Sequence, residues 1–187
     1  MHRPYRSPSP LRTLLLAVLL LALALPALPA TPGTSKLPDF ALSILDGRTL
    51  RKKDLRGKVV VLDFWATWCG PCLQALPELK TLESQMKGEP FTLVSVSVDE
   101  RKEDVAAFVR KNGMTWVQAW DGKGDLTWNT FAVDSFPTYI VLDHEGGVAY
   151  RQEGWSPGGR SARALEGAVK KALAAARQAQ AKGDVAR

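Results

Sequence analysis

Cys69 and Cys72 are the only cysteines in this chain of 187 residues, and two residues separate them in the run Trp68-Cys69-Gly70-Pro71-Cys72. A disulfide between them closes so small a loop that it restrains the unfolded chain very little, so a purely structural staple gains little stability. Such a bond suits exchange, in which a thiolate attacks a disulfide sulfur and a mixed disulfide forms. Zinc is the other common use of Cys-x-x-Cys, and a closed site requires four ligands. The two histidines are His2, near the N-terminus, and His144, in a Gly-rich turn where it reads as an exposed residue, so no four-ligand set assembles. No metal is expected.

The pair follows the apolar run Val59-Val60-Val61-Leu62-Asp63-Phe64, which reads as a central strand covered on both faces. From Cys69 onward the period changes. Cys72, Leu76, Leu79, Leu82 and Met86 recur at spacings of three and four, which places them on one helical face. Cys69 is then expected at a helix N-terminus, where free N–H groups and the helix dipole favour an anion. A free thiol titrates at about 8.5, and Cys-x-x-Cys sites at helix starts reach about 7 or below. Cys69 is therefore the expected nucleophile. Cys72 lies one turn further in, where burial keeps its thiol protonated.

Cys72 needs a group to accept its proton, and Asp63 is the candidate. It sits within the apolar run, six residues before Cys69. An unpaired carboxylate there is costly to bury and has a raised pKa, as befits a proton carrier. The competing reading has Asp63 facing solvent at the end of an alternating strand.

The remaining elements must hold this strand–cysteine–helix unit. Phe40, Leu42 and Ile44 alternate before an Asp46-Gly47 turn, the pattern of a hairpin. Lys52 to Gly57 reads as a short helical turn. Phe91 to Val98 is a second buried strand. Val105, Phe108 and Val109 mark a helix closed by Asn112-Gly113. Trp116 to Trp120 is a strand, and 125–131 an irregular or short helical stretch. Tyr139 to Leu142 and Val148 to Gln152 form a second hairpin, and a final helix runs from about Ser161 to Lys182. The order hairpin, βαβαβ, hairpin, α favours one mixed sheet with helices on both faces.

The first thirty residues read as a targeting segment. Arg3, Arg6 and Arg12 precede an apolar run from Leu14 to Leu25, which Pro26 ends. That run is short of the 20 or so residues of a spanning helix and suits a secretory signal. Two outcomes stay open: cleavage after Ala30, or retention of residues 13–30 as a membrane anchor. Both place the rest of the chain outside the cytoplasm. Cleavage leaves 157 residues, and the loss of the three arginines takes the net charge from +6 to +3. Nothing in this composition forms a basic, aromatic-interleaved surface, so nucleic acid is not an expected partner. The expected organisation is signal or anchor 1–30, linker 31–36, one α/β domain 37–182 and a tail 183–187.

The run Phe64-Trp65-Ala66-Thr67-Trp68-Cys69-Gly70-Pro71-Cys72 resembles the active-site segment of thioredoxin-like proteins, and within them the exported branch around TlpA, ResA and the cytochrome c maturation reductases. Pro77, the segment Phe136-Pro137-Thr138, the strand Val94 to Asp99 and the entry Leu37-Pro38-Asp39-Phe40 fit the same branch. The resemblance covers about residues 37–175. It implies a thioredoxin-like fold, a central mixed β-sheet flanked by helices, with an N-terminal β-hairpin and a central insertion. It also implies a thiol–disulfide oxidoreductase of the bacterial periplasm with Cys69, Cys72 and Asp63 catalytic and no cofactor. Protein disulfides would be its substrates and a membrane thiol transporter its electron donor. Trp68, Gly70, Pro71, Phe136 and a cis Pro137 would meet substrate, with Trp68 covering the cysteines and the Phe136 backbone pairing with an extended segment. Trp65, Trp116, Trp120, Trp128 and Trp155 read as packing. Many exported members carry a Glu three residues after the second cysteine. Here that position is Ala75 and the acid is Asp63, which weakens any transfer of narrow cytochrome c selectivity. A DsbA-like oxidant and a Cu(I) chaperone holding the metal between the same two sulfurs stay as alternatives.

Overall fold

Seven residues from Val59 to Trp65, every one buried, form the strand β3 around which the rest is arranged. The computed structural model describes residues 36–156 and 159–185. The expected signal or anchor segment 1–30, and residues 31–35 of the linker, lie outside the described residues.

The chain enters through the hairpin β1 (Ala41–Ile44) and β2 (Thr49–Arg51), and a 3-10 turn (Lys52–Leu55) follows. After β3 come α1 (Gly70–Gln85), β4 (Phe91–Ser97), α2 (Lys102–Lys111), β5 (Val117–Trp120) and a short α3 (Asp125–Asn129). The chain continues through β6 (Thr138–Leu142) and β7 (Val148–Glu153) to α4 (Arg160–Val185). The sheet order is β2-β1-β5-β4-β3-β6-β7. β3, β4 and β5 are parallel, as βαβ connections require, and β1, β6 and β7 each pair antiparallel to their neighbours. This is the thioredoxin-like α/β fold, a mixed sheet flanked by helices. The hairpin, the alternating unit and the second hairpin stand where the sequence places them.

Alternation along β3 divides the core in two. Val59, Val61 and Trp65 join Ala75, Leu79 and Leu82 of α1, Val105 of α2 and Leu165, Val169 and Leu173 of α4. Val60, Leu62 and Phe64 join Phe40, Leu42, Leu55, Val94, Val96 and Phe131 on the other face. The three long helices therefore share one layer, and the hairpin, the 3-10 turn and α3 with the segment after it close the other. Phe131 is wedged between Phe40 and Phe64, with ring centroids 4.9 Å from each.

Three local expectations are corrected. The buried stripe of α1 runs through Cys72, Ala75, Leu79 and Leu82, and Leu76 is half-buried at its edge. The final helix continues past Lys182 to Val185, so the expected tail is largely helical. His144 is half-buried, because its turn packs back on the chain and its carbonyl accepts from Gly57 N–H.

Candidate active site

Two elements deliver the cysteines. β3 is buried on both faces and pinned between β4 and β6, and the chain leaves it through Ala66, Thr67 and Trp68. Cys69 then caps α1 with extended backbone, Pro71 stands in the first turn, and Cys72 N–H points at Cys69 Sγ at 3.3 Å. Proline suits this place because its missing N–H would have had no helical partner. Cys69 and Cys72 are joined in a disulfide, with Cα atoms 5.3 Å apart.

The two cysteines are equally buried, each 6% exposed. Cys72 is buried, as its place on the apolar face of the helix leads one to expect, and in the disulfide form Cys69 is buried to the same extent. Their surroundings differ instead. Cys69 occupies the helix N-terminus. Cys72 lines a cavity of about 10 Å³, the room of a single water, together with Asp63, Trp65, Leu76, Phe108 and Met114.

Asp63 is 2% exposed, inside β3 and not at a wet strand end. Burial pushes its pKa up to about 7, and a hydrogen bond from Ser95 opposes that rise. The carboxylate is not unpaired, as the sequence reading has it. Ser95 Oγ donates to Asp63 Oδ2 at 2.6 Å, because parallel pairing sets Ser95 directly beside Asp63. Ser95 Oγ in turn accepts from Trp116 Nε1 at 2.8 Å. Trp116, read from sequence as packing, thus belongs to the surroundings of the acid.

A second carboxylate shapes the loop between β3 and α1. Asp99 accepts from Thr67 N–H at 3.0 Å, from Thr67 Oγ1 at 2.6 Å and from Ser97 Oγ at 2.6 Å. This clamp sits two residues before Cys69. The sequence carries a signal for both networks. Ser95, Ser97 and Asp99 alternate with Val94, Val96 and Val98 at the end of β4 and just beyond it, and buried polar groups persist when they are paired.

The aromatic surroundings form a continuous run. Trp68 is 67% exposed, and its ring stands edge-on to Phe136 at 6.1 Å. The Phe136-Pro137 bond is cis, as the resemblance implies. Trp128, 41% exposed, also packs on Phe136, with ring centroids 5.5 Å apart. Its indole lies over Gly124, where a Cβ would come within 2.3 Å of Nε1, so the absence of a side chain there seats the ring. Trp128 was read as packing, and the fold carries it to the rim of the site. Gly70 and Pro71 are exposed beside Trp68, and Pro137 is buried. Trp65 does pack, against Phe108 at 5.4 Å.

A thioredoxin-like sheet that presents a Cys-x-x-Cys disulfide at a helix N-terminus over a buried acid defines a redoxin of the thiol–disulfide type. The family model Redoxin matches residues 32–169, and the chain belongs to that family. It is 37% identical over 114 residues to the thiol-disulfide oxidoreductase ResA of Geobacillus thermodenitrificans (strain NG80-2), a match covering 61% of this chain and 65% of that one. It is 34% identical over 111 residues to ResA of Bacillus thuringiensis (strain Al Hakam), covering 59% and 64%. The match thus spans slightly less than two thirds of these curated relatives. A crystal structure from Chlorobium tepidum, assigned as a DsbE-type thiol:disulfide interchange protein, aligns with a TM-score of 0.69 at 34% identity, over 75% of this chain and 96% of that one.

Proposed function

We propose that this protein is a periplasmic thiol–disulfide oxidoreductase that reduces protein disulfides through Cys69 and Cys72. The observation that carries the reading is the Cys69–Cys72 disulfide at the start of α1, with Asp63 beneath it lining the same cavity as Cys72. In the reduced enzyme the Cys69 thiolate, favoured by the helix N-terminus, attacks one sulfur of a substrate disulfide. That substrate S–S bond breaks, a Cys69–substrate bond forms, and the other substrate sulfur leaves as thiolate. Cys72 then gives its proton to Asp63 carboxylate, directly or through one water. The new Cys72 thiolate attacks Cys69 Sγ, closing the disulfide and releasing the second substrate thiol. Two electrons have passed to substrate, and a membrane thiol transporter returns them.

Trp68, Gly70, Pro71, Phe136 and Pro137 form the substrate platform in this reading. The substrate backbone lies along Phe136, and its side chains rest on the exposed indole of Trp68. Apocytochrome c and copper-site proteins are the substrates proposed. The names of the relatives, thiol-disulfide oxidoreductase and thiol:disulfide interchange protein, support the exchange reaction. The arginine-led apolar segment at the N-terminus, which serves as signal or inner-membrane anchor, supports the periplasmic location. Among the described residues no helix is long and apolar enough to cross a membrane.

Two measurements test the proposal. Catalysis of insulin reduction by dithiothreitol is expected, and a Cys72→Ser variant is expected to hold substrate as a mixed disulfide on Cys69. The reduction potential decides direction: about −270 mV marks a reductant and about −120 mV an oxidant. No acceleration of insulin reduction would overturn the enzymatic reading.

A further inference from the structure

We propose that Ser95 and Trp116 are positioning residues of this site: the Trp116 indole fixes the Ser95 hydroxyl so that its one proton is directed at Asp63 Oδ2, which holds that carboxylate in its proton-accepting form beside Cys72. This rests on the reading of Asp63 as proton acceptor, and it assigns a function to two residues that sequence alone treats as strand and packing.

The argument starts from what each group can do. An indole N–H donates and never accepts, and a serine hydroxyl carries one proton and two lone pairs. With Trp116 Nε1 donating to Ser95 Oγ at 2.8 Å, that lone pair is occupied and the hydroxyl proton is free to turn to Asp63 Oδ2 at 2.6 Å. The result is a directed chain, indole to hydroxyl to carboxylate. Each link polarises the next, and a charged acceptor gains more from it than a neutral one. All three residues are buried, so bulk water does not screen these links.

The other groups around Asp63 make the chain the main source of stabilisation for its charge. Cys72 of α1 shares its cavity. Tyr139 stands opposite Asp63 on β6. Its hydroxyl is pushed up by burial first and then by Asp63 and Glu78, so it stays neutral. Its oxygen has no hydrogen-bond partner among the described residues, nor has the buried Oε2 of Glu78. α2 and α4 turn Phe108, Leu165 and Val169 to this face. None of these supplies a positive charge, and the Ser95 hydrogen bond is what opposes the effect of burial on Asp63.

The test is a titration of the Asp63 side-chain carboxyl by carbon-13 NMR in the oxidised protein, where neither cysteine titrates. Ser95→Ala is expected to raise the midpoint by about one pH unit or more. Trp116→Phe should raise it by less, and the double variant should match Ser95→Ala, because the indole acts only through the hydroxyl. In the wild type the Trp116 indole N–H resonance should follow the same midpoint, and in Ser95→Ala it should not. Ser95→Cys, which keeps a weak donor, should recover part of the shift and decides the matter if Trp116→Phe fails to fold. An unmoved midpoint in Ser95→Ala, or shifts that add in the double variant, overturns the proposal. Normal resolution of the mixed disulfide by Asp63→Asn, alongside a shifted midpoint in Ser95→Ala, would instead uphold the chain and overturn Asp63 as the proton acceptor.

Discussion

Asp99 and Thr67 are thirty-two residues apart, and the carboxylate of one holds both the backbone N–H and the hydroxyl of the other, the shortest of these contacts being 2.6 Å. The strand β4 ends where the loop to the cysteines begins, and Asp99 joins them. Replacing it by alanine removes the acceptor for three buried or half-buried donors. Each orphaned group costs about 1–3 kcal/mol where water cannot reach it. Asp99→Ala is expected to lower the stability to urea by a few kcal/mol, about 2 to 4, and to slow turnover. Thr67→Ala, which keeps the backbone N–H, should do less in both assays. Equal stability of Asp99→Ala and wild type would show that the clamp is slack.

Asp63→Asn is expected to slow closure of the Cys69–Cys72 disulfide from the mixed disulfide by about a hundredfold near neutral pH, the lower end of what a positioned base contributes. The loss should shrink above about pH 9, where Cys72 ionises unaided. Stopped-flow release of a labelled peptide measures it. A profile that is the same with and without the carboxylate removes Asp63 from the mechanism.

The same residue leaves a mark on stability. Its pKa is about 7 in the folded protein against 3.8 for the ordinary carboxylate. Between those values the native state holds a proton that the unfolded chain has lost, so stability falls as pH rises through this window and levels off above it. The full difference corresponds to about 4 kcal/mol. Asp63→Asn carries no such titration. Its stability relative to wild type should therefore rise between about pH 4 and 7 and then stay level. Denaturant melts at several pH values check this, and a pH-independent difference would mean that Asp63 is ionised throughout.

Trp128 packs on Phe136 at the rim of the site and keeps much of its ring exposed. An indole held in place offers contact area at little entropic cost. Trp128→Ala should raise KM for a protein disulfide by about tenfold, within the range for an aromatic anchor. Reaction with a small aromatic disulfide should be unchanged. A change confined to the small disulfide would argue against a docking role.

The fold was legible from the sequence where local pattern suffices. An apolar run ending in Cys-x-x-Cys and passing into a helical period places strand, turn and helix without ambiguity, and Val59–Trp65 and Gly70–Gln85 stand there. The first hairpin is equally plain from the alternation of Phe40, Leu42 and Ile44. Helix ends were less legible, as α4 shows: Lys182-Gly183 reads as a C-terminal stop, and the helix runs through it to Val185.

The exchange chemistry expected of the two sulfurs, and the reading of Asp63 as the acid beside them, follow from residue type and spacing along one continuous segment, so the sequence by itself suffices to propose them. Three further relationships needed the sheet. The parallel register of β3 with β4 sets Ser95 against Asp63, the segment ahead of β5 brings the Trp116 indole to that hydroxyl, and the turn before α3 swings Trp128 onto Phe136. Each joins residues at least twenty positions apart except the last, and even there no period links the partners. Strand register and loop path decide which side chains meet, and these are properties of the packed molecule that no local pattern encodes.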